Sequence, residues 1–179
     1  MILKILIALA LLVAVIAIVA AFRPSTYRVV RTATMAASPA SVFAQANDLH
    51  KYISWNPFGK SDPQATYAYE GPGTGVGSVV VWSSKGQTGE GRMSIVESRP
   101  NELVRYRLVF IKPMAGTGDM AFTFQAQGNQ TLVTWSMEGD NGYIGKLMGL
   151  FMSMDKMIGG AFERGLTEIK TIVETEAKH

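Results

Sequence analysis

Between Ala65 and Gly139 the sequence alternates apolar and polar residues in short runs broken by Gly, Pro and Asn, and no other feature constrains the fold as much. The runs cover 65–71, 77–83, 89–98, 103–112, 117–127 and 131–139. In the later runs one face is apolar: Tyr106, Leu108 and Phe110, then Met120, Phe122 and Phe124, then Val133, Trp135 and Met137. Their neighbours Arg105, Arg107, Thr123, Gln125, Thr134 and Ser136 point the other way, as in an antiparallel sheet with one face in water. Such a sheet needs a cover, and only the segment after Gly142 remains to supply it. There Ile144, Leu147, Phe151, Met154, Ile158, Phe162, Leu166, Ile169 and Val173 recur every three or four residues, which predicts a helix with one apolar stripe. A continuous helix over 154–176 would be about 35 Å long, enough to cross the sheet. Within it, Gly159 and Gly160 are candidate kink sites, and Gly165 offers a close approach to a strand or ligand.

Upstream, 27–35 reads as a first strand from its Tyr, Val and Thr content. Ser38-Pro39 places a capping hydroxyl before a proline at the first helical position, and Val42, Phe43 and Ala46 follow at helical spacing. Asp48 caps a second short helix that runs to about Ser54. The expected fold is therefore α+β: a seven-stranded curved antiparallel sheet over a long C-terminal helix, with two short helices after the first strand, the helix-grip arrangement.

At the N-terminus, Ile2 to Phe22 is apolar except for Lys4, so 5–22 is an unbroken uncharged run that spans roughly 27 Å as a helix. It reads as a transmembrane anchor over 1–22, followed by a linker at 23–26 and one domain at 27–177. A cleaved signal peptide competes with this reading, because Val19-Ala20-Ala21 supplies small residues, although a signal's apolar region usually covers only about 7–15 residues. Lys4 on one side and Arg23, Arg28 and Arg31 on the other leave orientation undecided by the positive-inside rule.

The formal charge of +3 is spread without a basic run, which argues against a nucleic-acid partner. The absence of cysteine excludes disulfides, thiolate nucleophiles and sulfur-ligated metals. His50 and His179 are the only histidines and have no metal-ligand spacing, so neither metal nor cofactor is expected, and His50 reads as a solvated helix residue. Asp155 and Glu163 share a helix face two turns apart, beside Lys156 and Arg164, and read as solvated. The stretch 71–77 does not match G-x-G-x-x-G and precedes a strand, so it reads as a turn. Asn129-Gln130-Thr131 matches a glycosylation acceptor, but Gly128-Asn129 is the expected hairpin turn. There is no G-x-S-x-G elbow or Ser-His-Asp order to support nucleophilic catalysis.

Several segments in fixed order carry a family resemblance. They are Trp55-Asn56-Pro57-Phe58, Glu70-Gly71-Pro72-Gly73 through Gly75-Val76-Gly77, Trp82, Gly89-Glu90-Gly91 with Ile95 and Pro100, the strand 134–139, and Phe162-Glu163-Arg164-Gly165-Leu166. Over 27–176 the chain resembles the polyketide cyclase/dehydrase-like branch of the START-related (SRPBCC) superfamily. The resemblance implies a hydrophobic cavity between sheet and helix, in a family of lipid carriers, ligand-binding proteins and a few enzymes. It does not imply one reaction.

Residues expected to line such a cavity are Trp55, Phe58, Trp82, Tyr106, Phe110, Phe122, Phe124, Trp135, Phe151, Met154, Ile158 and Phe162. Each is also a natural core residue, and Trp55 with Phe58 would serve equally to plug the junction of helix and strand. Seven methionines lie after residue 113, where flexible thioethers suit either an adaptable cavity or ordinary core filling. The expected function is a membrane-anchored binding protein for a hydrophobic small molecule or lipid. The alternatives are a cyclase or dehydratase using Tyr69, Tyr106 or Glu90 as acid or base, and an interaction module at the membrane surface.

Overall fold

The computed structural model describes residues 1–22, 24–86, 88–140, 142, 146, 150 and 153–178. The elements in chain order are α1 (Ile2–Ala21), β1 (Thr26–Met35), α2 (Pro39–Asn47), α3 (Leu49–Trp55), α4 (Pro57–Lys60), β2 (Thr66–Glu70), β3 (Val79–Ser83), β4 (Glu90–Arg99), β5 (Leu103–Lys112), β6 (Gly116–Gln127), β7 (Gln130–Asp140) and a long helix, here α5 (Met154–Glu176). All seven strands pair antiparallel in one sheet, ordered β1-β7-β6-β5-β4-β3-β2. The seven strands, the two capped helices and the covering helix stand where the sequence places them, to within about two residues at each end. Ile144, Leu147, Phe151, Met148 and Met152 lie outside the described residues, as does the side chain of Met154.

Local chemistry explains the short elements. The Ser38 hydroxyl accepts the Ser41 N–H with Pro39 at the first helical position, and the Asp48 carboxylate accepts the N–H groups of His50 and Lys51. A third helix, α4, follows from the same logic: Asn56 accepts the Phe58 N–H and Pro57 opens the turn. The stretch 71–77 is a turn, as read, with Gly71, Gly73, Gly75 and Gly77 all at positive φ, so that a β-carbon on Gly71 would collide with the Gly77 carbonyl. Gly128, at φ 60°, turns the two-residue hairpin between Gln127 and Gln130.

The core lies between the sheet's inner face and α2, α3 and α5. Its β-strand contribution alternates as the sequence implies, with Val29, Met35, Val80, Met93, Ile95, Tyr106, Met120, Phe122, Val133 and Trp135 buried. Phe162, Leu166, Ile169 and Val173 form the buried stripe of α5. The helix is continuous through Gly159-Gly160, and Gly159 makes room for the Arg31 side chain. Helix α1 is 20 residues long and, apart from the buried Ala20, largely exposed, apolar enough to cross a membrane, a property that a signal sequence shares.

Candidate functional site

The inner face divides into two parts. Under α5 lies a continuous ring cluster: Trp135 stacks on Phe162 with centroids 4.0 Å apart, Phe122 lies 4.7 Å from Trp135, and Trp55 meets both Phe122 and Trp135 edge-on at 5.9 and 5.8 Å. Tyr52, Tyr106 and Phe124 extend the cluster, and all of these rings are buried. Gly165 permits the close approach expected of it, because a β-carbon there would collide with the Trp135 ring and touch Pro57.

Toward β2 and β3 the face is less covered. Trp82 and Phe110 meet edge-on at 5.9 Å and are half-buried, with Tyr67, Tyr69 and Ile158. Phe58 is 36% exposed and lies 6.5 Å from Phe162, so it stands at the border between the two parts. The Trp82 ring lies across Gly91, where a β-carbon would displace it. Its indole N–H donates to the Thr88 carbonyl at 3.1 Å.

Of the twelve side chains expected to line a cavity, the structure thus packs Trp55, Tyr106, Phe122, Phe124, Trp135 and Phe162 together, and it leaves Trp82, Phe110 and Ile158 half-buried against that core and Phe58 partly exposed. Phe151 and the Met154 side chain fall outside the described residues.

Polar handles inside the cluster behave differently from one another. The Tyr106 hydroxyl donates to the Ala46 carbonyl, and the Trp55 indole N–H donates to the Gln45 carbonyl at 3.3 Å. The Trp135 indole N–H is buried without a hydrogen-bond partner among the described residues. Burial pushes the Tyr106 and Tyr52 phenols well above the usual range, with each other's proximity adding to Tyr106 and Tyr67 adding to Tyr52.

The groups considered for acid or base chemistry are engaged elsewhere. Tyr106 is fully buried and committed to Ala46. Glu90 pairs with Lys112 at 3.0 Å. Tyr69 stacks on His50 with centroids 3.7 Å apart, so His50 is exposed but not purely solvated. Among the described residues, no group of His, Asp and Glu is arranged to hold a metal. An open groove of about 550 Å³, lined by Tyr27, Arg28, Arg107, Asp119 and Glu138, lies away from the aromatic face. Its Arg107–Asp119 ion pair at 2.7 Å suits water and not an apolar guest.

Two polar features were not apparent in the sequence. Arg31 projects from β1 across Gly159 and pairs with Asp155 and Glu163, each at 2.7 Å, so these carboxylates clamp the first turns of α5 to the sheet. The expectation that Asp155 and Glu163 are merely solvated is corrected by this pairing. Hydrogen bonds from Arg31 hold the Asp155 carboxyl below its ordinary range. The carboxylate of Asp62, only 5% exposed, accepts the Thr88 N–H at 3.0 Å and the Thr88 hydroxyl at 2.8 Å, which lowers its pKa. It ties the segment before β2 to the connection that carries Thr88, the acceptor for Trp82. Only an i,i+8 carboxylate pair around a glycine hinted at the first feature, and nothing local marked the second.

Residues 26–174 match the family described as polyketide cyclase / dehydrase and lipid transport. The chain belongs to that family. Among solved structures, protein CV1439 from Chromobacterium violaceum is 18% identical, with 85% of this chain and 99% of that chain covered and a TM-score of 0.59. Ginseng major latex-like protein 151 from Panax ginseng is 13% identical, with 84% and 99% covered and a TM-score of 0.59. The di-domain ARO/CYC StfQ of the steffimycin biosynthetic pathway is 9% identical, with 86% of this chain and 52% of that one covered and a TM-score of 0.62. At these identities the likeness shows the fold. No curated protein matches the chain. A helix-grip fold in this SRPBCC family suggests a hydrophobic ligand-binding module.

Proposed function

We propose that this family member is a membrane-anchored binding protein for a hydrophobic small molecule or lipid held between the sheet and α5. Residues 1–22 form the anchor, 23–26 the linker and 27–177 the binding domain. The observation that carries the reading is the half-open aromatic pair of Trp82 and Phe110, packed against the core that holds the rings of Trp55, Tyr106, Phe122, Phe124, Trp135 and Phe162, with Ile158 half-buried and Phe58 partly exposed on the same core. Large rings left half in water cost hydration free energy that an apolar guest would recover, and a concave apolar face with few polar groups is the usual form of a small-molecule site. Binding, and not catalysis, fits a site whose tyrosine and glutamate candidates are buried, stacked or paired.

Native mass spectrometry of the full chain extracted in detergent tests this. An apolar molecule is expected to remain bound, and the Trp82→Ala/Phe110→Ala double variant should lose it several-fold while staying folded. Equal retention by both proteins, or none by the parent, would remove the reading. The same spectrum weighs the chain, and a mature N-terminus near Ala21 would show that α1 is a removed signal.

A further inference from the structure

We infer that the sheet end carrying the β5–β6 hairpin rests on the bilayer that holds α1, so that the aromatic rim opens at the membrane surface; this rests on the anchor reading of α1. The strand register fixes which ends lie together. Thr26 pairs with Asp140, Gly139 with Gly118, Thr117 with Val109, Lys112 with Glu90, and Ser83 with both Glu90 and Thr66. The start of β1 therefore shares one end of the sheet with the tip of the β5–β6 hairpin and the β3–β4 connection.

That end cannot be far from the membrane. Between Ala21, the last residue of α1, and Thr26, the first of β1, even a fully extended chain reaches only about 18 Å. From β1 across β7 and β6 to β5 are three strand spacings, about 14 Å sideways at the same level.

The hairpin tip at this end carries exposed apolar residues: Ile111 is 52% exposed and Met114 49% exposed, with Lys112, paired to Glu90, and Pro113 between them. Phe22, 87% exposed, ends α1, where an aromatic ring suits the interface. The opposite end is built differently. Its hairpins turn on the polar pairs Asn101-Glu102 and Gly128-Asn129, and its exposed large apolar residues, Val76 and Val96, lie outside those turns. Scattered apolar residues are normal on a protein surface, but paired ones at a hairpin tip beside a membrane helix have an apolar neighbour available. Charges near the tip balance, Arg28, Lys85, Arg107 and Lys112 against Glu90, Asp119, Glu138 and Asp140, with Lys112–Glu90 and Arg107–Asp119 paired, so net attraction to anionic lipid is small and the contact should survive high salt. Phe110, the residue before Ile111, faces Trp82 across Gly91, which puts the rim of the candidate site directly behind the contact. An apolar guest could then pass between bilayer and rim without crossing bulk water.

The chain has no cysteine, so single labels are unambiguous. Full-length Met114→Cys and Asn129→Cys are labelled with a nitrobenzoxadiazole fluorophore and reconstituted into phosphatidylcholine vesicles containing phosphatidylglycerol, with and without nitroxide-labelled lipid. The label at 114 should emit blue-shifted light and be quenched several-fold more than the label at 129, in low and high salt alike. Vesicle flotation reads the anchor independently. Protein that floats while both labels report equal exposure to water overturns this inference alone. A label at 114 that is shielded but insensitive to nitroxide lipid also overturns it, and points to a protein partner on the tip. A chain that fails to float overturns the anchor reading and this inference together. Retention of an apolar molecule is not read by the labels, so failure of the binding proposal leaves their outcome intact.

Discussion

The two parts of the inner face come from the same alternating pattern, yet Trp135, Phe122 and Phe162 are fully buried while Trp82 and Phe110 are only half so. The difference lies in what crosses above them. Helix α5 packs along β1 at the far edge of the sheet, with its Phe162 ring on Trp135, and α3 and α4 close the cluster from the other side. Trp82 on β3 and Phe110 on β5 lie in one row with Gly91 near the sheet end that carries the β5–β6 hairpin, whereas Val80 and Leu108, two residues further in on the same strands, are buried. One apolar face thus yields a solid core in its middle and an accessible aromatic rim toward one end. Packing energy and ligand access are divided along the strands of one sheet.

The sharpest way to break this comparison is truncation. Trp135→Ala in the packed part is expected to cost about 3–5 kcal/mol by chemical denaturation, enough to unfold a marginal domain. A cost near that of an exposed site would mean that the cluster is not the core.

Enlarging a side chain sharpens the same contrast. Phe122→Trp should destabilise by about 1–3 kcal/mol because its surroundings are already filled with rings. Ile158→Trp, at a half-buried position of α5, should stay within about 0.5 kcal/mol of the parent. The two melts must differ for the division to stand, and Ile158→Trp should also reduce retention of any bound apolar molecule.

The smallest effect concerns pH. Arg31 depresses the Asp155 pKa in the packed part, and Thr88 depresses that of Asp62 beside the rim. For a carboxylate whose folded pKa lies below its unfolded value of about 3.9, the stabilisation is complete above that value and is lost as pH falls through the folded pKa. Melting temperature should therefore drop below about pH 4, and Arg31→Met should lower it at pH 7 but converge on the parent in acid. Asp62→Asn should behave likewise, and it should also perturb Trp82 fluorescence, because Thr88 links the two residues. No convergence at low pH would show that neither carboxylate contributes through its charge.

Much of this was written in local pattern. A period of two identifies strands and their inner faces, a period near 3.6 identifies α5, and Ser38, Asp48, the glycines of 71–77 and Gly128 mark where elements begin and turn. These are near-neighbour effects of sterics and hydrogen bonding, and they act on any chain that carries the same residues. What α1 requires is equally local, since an apolar helix without a polar face needs an apolar medium.

Which aromatic residues became core and which became rim was decided only in three dimensions. Trp82 and Trp135 have similar strand contexts, and nothing in the flanking residues says that one is crossed by Phe162 and Gly165 while the other rests on Gly91. The Arg31 clamp joins residues 124 and 132 positions apart, and the Asp62–Thr88 link depends on two loops meeting. Such contacts come from the order of strands in the sheet and the line of the crossing helix. The physical reason is that burial and pairing depend on distance in space, whereas the sequence pattern reports only on neighbours along the chain.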